Sequence, residues 1–347
     1  MNFIILGAGA IGCYVGGRLA LAGQRVTFVG RPRVIDALAT HGLTVTDLEG
    51  FSGHLAGTAL KLAGSLREVA LNDEPAVILL CVKGGATDGA AREVAQVCPA
   101  GTVIVSLQNG VDNVARVEAA APQMQVLAGM VPYNVVFNVK ASAFGQSACQ
   151  AHRATMGPLQ IARSAASDQF LTAFTESGLP MLLIDNMRAV QWGKLLLNLN
   201  NPVNALSELP LQAQLRNRDY RRVLADLQRE ALAVMSRAGI TPAQVTAVKP
   251  QVLPHLLRLP NWLFTRVAAR MLRMDAKARS SMSDDMQHGR VTEIDDLCGA
   301  VVRLARLRGE RAPLSERMTQ LVAQHHWGQP MTGLQMRVAL VQGASPG

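Results

Sequence analysis

Lys194 and Asn198 stand four residues apart in a stretch predicted to be helical, and Asn201 follows three residues later. Side chains at these spacings share one face of an α-helix. Carboxamides can orient the oxygens of a 2-oxo acid, while an ammonium group polarises its carbonyl and gives up a proton. Partial burial lowers a lysine pKa towards that task. These residues predict a site that binds a small 2-oxo acid and protonates its carbonyl oxygen.

A second polar stretch runs from Ser280 to Asp285 and leads to the segment 292–296, Thr-Glu-Ile-Asp-Asp. Its spacing leaves two interpretations open. Ser281 and Glu293 are candidates for binding or chemistry. Alternatively, Thr292 and Asp295 form a capping box, in which acidic side chains of a first helical turn complement the helix dipole.

The start of the chain carries a different signal. An apolar run of strand length, Phe3–Leu6, is followed by Gly7-Ala8-Gly9-Ala10-Ile11-Gly12 and then by a helix-competent segment. This order is the dinucleotide fingerprint, in which the first glycine permits a tight turn, the second lets the backbone approach a pyrophosphate and the third lets the helix pack on the strand. A dinucleotide is therefore predicted to lie at the positive end of this helix. The alternative is a glycine-rich structural turn.

The residues after the second strand, Arg25–Val29, indicate which dinucleotide binds. A site for NAD places Asp or Glu here to bond the ribose 2′-hydroxyl. This chain has Gly30-Arg31-Pro32-Arg33 instead, and guanidinium groups suit the 2′-phosphate of NADP. We predict NADP as cofactor with Arg31 among its contacts. The alternative is that Arg31 and Arg33 are ordinary solvated charges.

Two further loops follow predicted parallel strands. The strand that ends at Val82 leads into Lys83-Gly84-Gly85, and the strand that ends at Leu107 leads into Gln108-Asn109-Gly110. Ligands bind beyond the carboxyl ends of such strands, so Lys83 and Asn109 are predicted to meet the ribose or nicotinamide end of the cofactor. The alternative is that both glycine-containing loops only form turns.

The arrangement of predicted elements divides the chain. Alternating strands and helices over residues 1–185 predict an α/β, Rossmann-type NADP-binding domain with a doubly wound parallel sheet. The segment 42–60, which alternates polar and apolar residues at 43–46, is interpreted as a small excursion of this sheet. The segment 134–162, with possible strands at 135–139 and 151–156, is interpreted as its antiparallel extension. Residues 186–330 predict a mainly helical substrate domain, with helices over 188–199, 211–237, 251–271 and 293–308. Residues 331–347 are expected to form a flexible tail that frays.

Composition narrows the class of protein. The 347 residues are 49% hydrophobic and 17% charged, which suits two buried cores. The net charge is +9, but aromatic residues are only 4% and the basic residues are spread out, so nucleic acid is not predicted as a partner. An odd count of five cysteines without CxxC spacing predicts reduced thiols, no metal site and a cytoplasmic location. Apolar runs too short to span a bilayer predict no membrane partner. A helical second domain suits a homodimer, although nothing in the sequence selects one.

Several motifs together resemble the ketopantoate reductase (2-dehydropantoate 2-reductase) family. They are the glycine turn at Gly7, Lys194 and Asn198 in Lys-Leu-Leu-Leu-Asn, and Ser-Ser-Met followed by Thr-Glu-Ile-Asp, which contain Ser281 and Glu293. The likeness covers residues 1–325. It implies an oxidoreductase that reduces ketopantoate to pantoate with NADPH, in pantothenate biosynthesis and on the way to coenzyme A.

The resemblance also implies roles for single residues. Lys194 is the proton donor, and Glu293 lies beside the substrate and the nicotinamide ribose. Asn198 and Ser281 hold the substrate. Lys83 and Asn109 contact the cofactor and its cleft.

Two positions depart from the family pattern. In the family the second asparagine stands four residues after the first and just before proline, whereas Asn201-Pro202 comes one residue early. Either Asn201 takes that role after a small helix adjustment, or Asn200 or Asn204 does. Because proline lacks an N–H group, the helix is expected to bend or stop at Pro202. The pair Ser-Asp at 283–284 replaces the usual apolar and amide pair.

Two other kinds of function fit the same features. One is reduction of a different 2-oxo acid, or of an imine formed from a 2-oxo acid and an amine, as in opine-type dehydrogenases. The other is a sensor that binds NADP(H) without catalysis. Lys194 and Glu293 argue against the sensor.

Overall fold

The computed structural model describes residues 1–71, 75–141, 147–269, 272 and 278–342. Contacts within the chain divide it into two compact units, Met1–Met187 and Arg188–Gly347. The sequence predicts this boundary after residue 185.

The first unit alternates strands and helices. Its strands are β1 (Asn2–Leu6), β2 (Arg25–Val29), β3 (Leu43–Asp47), β4 (Ser52–Leu55), β5 (Lys61–Ala63), β6 (Ala76–Leu80), β7 (Val103–Ser106), β8 (Gln125–Met130), β9 (Val135–Ala141), β10 (Ser147–Arg153), β11 (Leu159–Ala162) and β12 (Met181–Ile184). Its helices are α1 (Ala10–Leu21), α2 (Pro32–His41), α3 (Thr87–Val97), α4 (Asn113–Ala120) and α5 (Ala165–Glu176).

Eight strands form the main sheet, in the order β12-β11-β8-β7-β6-β1-β2-β5. Neighbouring strands are parallel except for β8 and β11. The strand order reverses at β1, which pairs with β2 on one side and with β6 on the other. Such a reversal opens a crevice at the carboxyl ends of the strands. The predicted α/β fold with a doubly wound parallel sheet is confirmed.

Both faces of the main sheet are buried, as β1 illustrates. Phe3 and Ile5 point into one hydrophobic core and Ile4 and Leu6 into the other. Side chains of α1 and α5 complete the first core, and side chains of α3 and α4 complete the second. The all-apolar sequence of β1 follows from this burial on two faces.

A second sheet corrects the interpretation of two segments. It has the order β4-β3-β10-β9, with β10 parallel to β3 and antiparallel to β9. The segment 43–46 is therefore not an excursion of the main sheet. Within 134–162, β11 extends the main sheet antiparallel to β8, as predicted, whereas β9 and β10 belong to the second sheet. The apolar side chains of β3 and β10 pack with α1 in the first core. Which strands pair depends on that burial against α1, which a local sequence pattern does not encode.

A buried carboxylate ties this second sheet to α1. Asp47, at the end of β3, lies 3.0 Å from Arg18 of α1 and 3.2 Å from Arg153 of β10. Burial by itself would raise the pKa of Asp47, but hydrogen bonds from the N–H groups of Phe51 and Glu49 lower it. The two guanidinium groups lower it further, so the net shift is downward. The ionised carboxylate thus has partners on α1, on β10 and in the turn that follows β3.

The regular elements described in the second unit are all helices, which confirms a mainly helical C-terminal half. Its helices are α6 (Met187–Asn198, which begins at the last residue of the first unit), α7 (Asn200–Ser207), α8 (Leu211–Arg216), α9 (Arg218–Arg237), α10 (Leu253–Leu257), α11 (Asn261–Val267), α12 (Ser281–Gln287), α13 (Ile294–Arg306), α14 (Pro313–Gln324) and α15 (Gly333–Gln342). No helix in the described ranges is both long and apolar enough to cross a lipid bilayer.

Two predicted helices are interrupted. The helix predicted over 211–237 divides at Asn217, which has an extended backbone and whose side chain accepts a hydrogen bond from the N–H of Asp219. The helix predicted over 251–271 divides before Pro260, because the residue before a proline is disfavoured in a helix. The last two residues of that prediction lie outside the described residues.

The expectation that residues 331–347 form a frayed tail is wrong for most of its length. α15 packs on α9 and buries Met336 and Leu340. Gly333 permits this contact, since a methyl group on it would lie 2.6 Å from the backbone nitrogen of Tyr220. Residues 343–347 lie outside the described residues.

Arg221 of α9 is fully buried and joins three helices. Its guanidinium group donates to the carbonyls of Leu257 at 3.0 Å and Leu215 at 2.8 Å, in the last turns of α10 and α8. It also donates to the carbonyl of Leu259 at 2.8 Å and to Oδ1 of Asn261 at 2.9 Å. Helix ends carry unpaired carbonyls and partial negative charge, so one cation satisfies several of them.

Replacing Arg221 with Met should lower the free energy of unfolding by about 3 kcal/mol, because several buried carbonyls lose their donor. Arg221→Lys should recover less than half of the loss, since an ammonium group cannot reproduce the planar fork of donors. Urea unfolding followed by circular dichroism measures both. Arg222→Ala is the control, because its partly exposed pair with Asp219 contributes less than about 1 kcal/mol. Equal losses at the two positions would contradict a special role for Arg221.

Candidate functional site

The glycine turn after β1 is held by backbone contacts to β2 and β6. The N–H groups of Gly7 and Ala8 both donate to the carbonyl of Val29, at 2.9 and 3.0 Å. Gly7 has φ +112°, and a methyl group on it would lie 2.6 Å from the backbone nitrogen of Val82. Only glycine satisfies both conditions. The turn therefore lies where the carboxyl ends of three strands meet.

The turn aims the start of α1 outward. Gly9 occupies the N-cap position, and the first turn contains neither a capping side chain nor an acidic residue. Within the described residues, the N–H groups of Ala10, Ile11 and Gly12 have no acceptor. A methyl group on Gly9 would meet nothing within 4 Å, whereas one on Gly12 would clash with the carbonyl oxygen of Gly7. Open N–H groups at a positive helix end suit a diphosphate.

Two arginines follow β2 at the same edge of the sheet. Arg31 is the N-cap of α2, and Pro32 occupies the first helical position. Arg31 and Arg33 are exposed, and within the described part of the chain neither guanidinium group makes an ion pair or hydrogen bond. Gly30 lies against the turn, because a methyl group on it would be 2.9 Å from Cβ of Ala8. Arg31 therefore comes directly after Gly30, the residue that contacts the glycine turn.

Lys83 and Asn109 lie at the ends of adjacent strands. β6 pairs with β7 in parallel, so the loops that follow them leave the sheet at the same edge. Both side chains are exposed, and Lys83 begins a short 3₁₀ turn, Gly84–Ala86. The first unit therefore brings the glycine turn, Arg31, Lys83 and Asn109 to one edge of its main sheet.

In the second unit, Lys194 and Asn198 lie one turn apart on α6. Lys194 is half-buried and Asn198 is buried. Burial lowers the pKa of Lys194 below its usual value of 10.5. Asn201 does not share their helix, because α6 ends at Asn198 and α7 begins at Asn200. This interruption lies just before Pro202, as its missing N–H group predicts.

The three candidate amides near Pro202 differ in their contacts. The amide of Asn200 exchanges hydrogen bonds with Gln214, at 2.9 and 3.3 Å. Asn204 is fully buried, and its amide donates to the carbonyl of Leu209 and accepts from the N–H of Ser280, both at 2.9 Å. The side chain of Asn201 is half-buried and makes no hydrogen bond among the described residues. Asn201 is thus the candidate whose amide is not already used by the fold.

Ser281 is brought towards Asn201 by the residue before it. The hydroxyl of Ser280 donates to the carbonyl of Asn201 at 3.3 Å and accepts from the N–H of Ser283, so that it caps α12. Ser281 is the exposed first residue of that helix. Sequence reasoning missed the roles of Ser280 and Asn204. For Ser280 the sequence offered one signal, a pair of serines at the start of a predicted polar stretch.

Glu293 occupies the N-cap position of α13, and its side chain does not cap the helix. The capping box proposed for Thr292 and Asp295 is therefore wrong, since Thr292 lies one residue too early. Glu293 is half-buried. The carboxylate of Glu293 therefore does not serve the helix cap that the alternative interpretation predicts for this segment.

Comparison with known proteins connects these features. The family described as ketopantoate reductase PanE/ApbA matches residues 3–163, and its C-terminal counterpart matches residues 186–326. A 2-dehydropantoate 2-reductase of Pyrococcus horikoshii is 27% identical over 324 residues, covering 93% of this chain and 96% of that protein.

Two solved structures have a fold similar to that of this chain. A PanE/ApbA family ketopantoate reductase from Ralstonia eutropha JMP134 has a TM-score of 0.75 and 25% identity, covering 99% of this chain and all of that one. A D-mandelate dehydrogenase, solved with NADH and anilino(oxo)acetate, has a TM-score of 0.71 over 98% of this chain and 99% of its own. At 18% identity that second likeness concerns the fold alone.

Gly12→Ala should lower the free energy of unfolding by about 2 kcal/mol, because its methyl group overlaps the Gly7 carbonyl. Gly9→Ala, the matched control, should cost less than about 1 kcal/mol, since its methyl group enters open space at an ordinary backbone conformation. Urea unfolding distinguishes the two variants. Equal destabilisation would show that close packing at Gly12 does not hold α1 in place.

Proposed function

The chain belongs to the ketopantoate reductase PanE/ApbA family, and on that premise we propose that it reduces 2-dehydropantoate to pantoate with NADPH. The product is the pantoate unit of pantothenate. The observation that carries this proposal is the half-buried ammonium of Lys194 one helical turn from the buried amide of Asn198. A helix that only packs in a hydrophobic core needs neither an ammonium group nor an amide at these positions.

The first unit supplies the proposed cofactor site. The open N–H groups at the start of α1 hold the diphosphate, while Lys83 and Asn109 contact the ribose or nicotinamide end. The family resemblance also assigns Glu293 to the nicotinamide ribose. When bound, the reduced nicotinamide supplies the hydride that C2 of the oxo acid accepts.

Lys194 acts as the general acid in this proposal. Its ammonium polarises the C2 carbonyl and protonates the oxygen as that carbon becomes tetrahedral, leaving a neutral amine that solvent reprotonates. Burial supports the assignment because it lowers the lysine pKa and so eases release of the proton.

Asn198, Asn201 and Ser281 hold the oxo acid. Asn201 is favoured over its two neighbours because the amides of Asn200 and Asn204 already bond within the fold. The link from Ser280 to the carbonyl of Asn201 supports a shared role for Asn201 and Ser281. An amide and a hydroxyl can together bond the carboxylate or hydroxyl oxygens of the substrate.

NADPH is proposed over NADH because of Arg31. The segment after β2 offers no carboxylate to the ribose 2′-hydroxyl, and Arg31 and Arg33 are exposed at that edge. A guanidinium group binds a phosphate through two parallel hydrogen bonds. The 2′-phosphate is therefore the feature that these residues would recognise.

We expect oxidation of NADPH by ketopantoate, with kcat/KM at least about tenfold above that for other 2-oxo acids or for NADH. The measurement is a panel of 2-oxo acids, with and without amines, run with each cofactor. A requirement for an amine would indicate an opine-type dehydrogenase, and preference for another acid would reassign the substrate. Tight NADPH binding without turnover on any acid would indicate a sensor.

Arg31→Ala is the control for cofactor choice in this panel. It should reduce kcat/KM for NADPH by about tenfold, roughly the value of one charge-assisted phosphate contact, and leave NADH unchanged. Equal loss with both cofactors would remove Arg31 from 2′-phosphate recognition.

Lys194→Ala should reduce kcat at least ~100-fold. In the wild-type protein, kcat should fall as pH rises through the lowered pKa of Lys194, because only the protonated lysine is an acid, so the fall begins below pH 10.5. Lys194→Arg keeps the charge but releases no proton in this range, so it should retain substrate binding and remain slow. Turnover of Lys194→Arg within about tenfold of wild type would limit Lys194 to an electrostatic role.

A further inference from the structure

Beneath the exposed side chains of Lys83 and Asn109 lies a row of buried polar groups. The row consists of Ser106, Gln108, Thr87 and Asn113, whose exposed fractions are 2%, 9%, 0% and 3%. Polar side chains are buried at a cost unless each finds a partner. These residues come from the end of β7, the loop after it and the starts of α3 and α4.

Hydrogen bonds through this row run in one direction. The hydroxyl of Ser106 donates to Oε1 of Gln108 at 3.0 Å, and Nε2 of Gln108 donates to Oγ1 of Thr87 at 2.7 Å. The hydroxyl of Thr87 donates to Oδ1 of Asn113 at 3.1 Å, and Nδ2 of Asn113 donates to the carbonyl of Asn109 at 2.6 Å. In Gln108 and Asn113 the amide oxygen accepts one bond of the row and the amide nitrogen donates the next. The orientation of both amides is therefore fixed.

The row joins the two loops at the edge of the sheet. Nε2 of Gln108 also donates to the carbonyl of Val82 at 2.9 Å, immediately before Lys83. At the other end of the row, Nδ2 of Asn113 donates to the carbonyl of Asn109. The row therefore fixes the backbone beside both predicted cofactor contacts, while their side chains stay exposed.

A bidentate ion pair supports the outer end of the row. Arg116 of α4 pairs with both carboxylate oxygens of Asp88 in α3, at 2.9 and 3.1 Å, and this interaction lowers the pKa of Asp88. Arg116 also reaches Oδ1 of Asn113 at 3.4 Å. The pair thus holds together the two helix starts that supply Thr87 and Asn113.

We propose that Thr87, Gln108 and Asn113 are positioning residues, which hold Lys83 and Asn109 in the conformation that binds the reduced dinucleotide. This inference rests on the proposed function, because it takes Lys83 and Asn109 as cofactor contacts. Groups that touch a ligand need buried partners to fix their conformation, and in metal sites the loss of such partners weakens affinity or activity roughly 10–100-fold. Thr87 is central, since its hydroxyl accepts one bond and donates the next.

Thr87→Val keeps the shape of the side chain and removes both bonds. Fluorescence titration of the full-length protein with NADPH should show a dissociation constant raised at least ~10-fold, and Thr87→Ser should return it to within about threefold of wild type. In a Lys83→Ala/Asn109→Ala background, Thr87→Val should change the constant less than about twofold, because the side chains it positions are gone.

Ser177→Ala is the stability control, since the buried hydroxyl of Ser177 bonds to the Ala173 carbonyl of α5. It should lower the melting temperature without changing NADPH affinity. Unchanged affinity in Thr87→Val, or an equal loss in the double-alanine background, would overturn the positioning role alone. Absence of NADPH binding by the wild-type protein would overturn the proposed function and this role with it.

Discussion

The structure depends on one close approach of backbone to backbone. Gly7 lies against the Cys81–Val82 peptide beyond β6, and its N–H bonds to the last carbonyl of β2. A side chain at Gly7 would separate these segments. Because it has none, the carboxyl ends of β1, β2 and β6 meet around one turn, and α1 starts from that point with its N–H groups open. Every candidate cofactor contact in the first unit is placed relative to this turn.

The second unit positions its candidate residues by a different means, through interrupted helices. The break between α6 and α7 separates Asn201 from Lys194 and Asn198. Gln228 of α9 donates to the carbonyl of Leu196 at 3.0 Å, in the last turn before the break. The Ser280 hydroxyl then ties α12 to α7. Side chains outside α6 and α7 thus hold these two helices by donating to backbone carbonyls on either side of the break.

Buried polar groups recur wherever elements distant in the chain must be held together. Asp47 joins the second sheet to α1, Arg221 joins three helices, and the row through Thr87 joins two loops. Each has its partners in place, which offsets the cost of removing it from water. Hydrophobic packing alone has little directional preference, so these bonds determine the register and angle at each junction.

The sequence by itself determined the alternation of strands and helices, the fingerprint from Gly7 to Gly12 and the helical character of the second half, because each is a local pattern of apolar, glycine and polar residues. It also indicated family membership through Lys194, Asn198, Ser281 and Glu293. Only the tertiary structure decided that β3 and β10 form a separate sheet, that Asn200 and Asn204 are used by the fold while Asn201 is not, and that 333–342 is a packed helix. These outcomes depend on partners far away in the chain. A hydrogen-bond partner or a buried face becomes defined only when those distant segments come together.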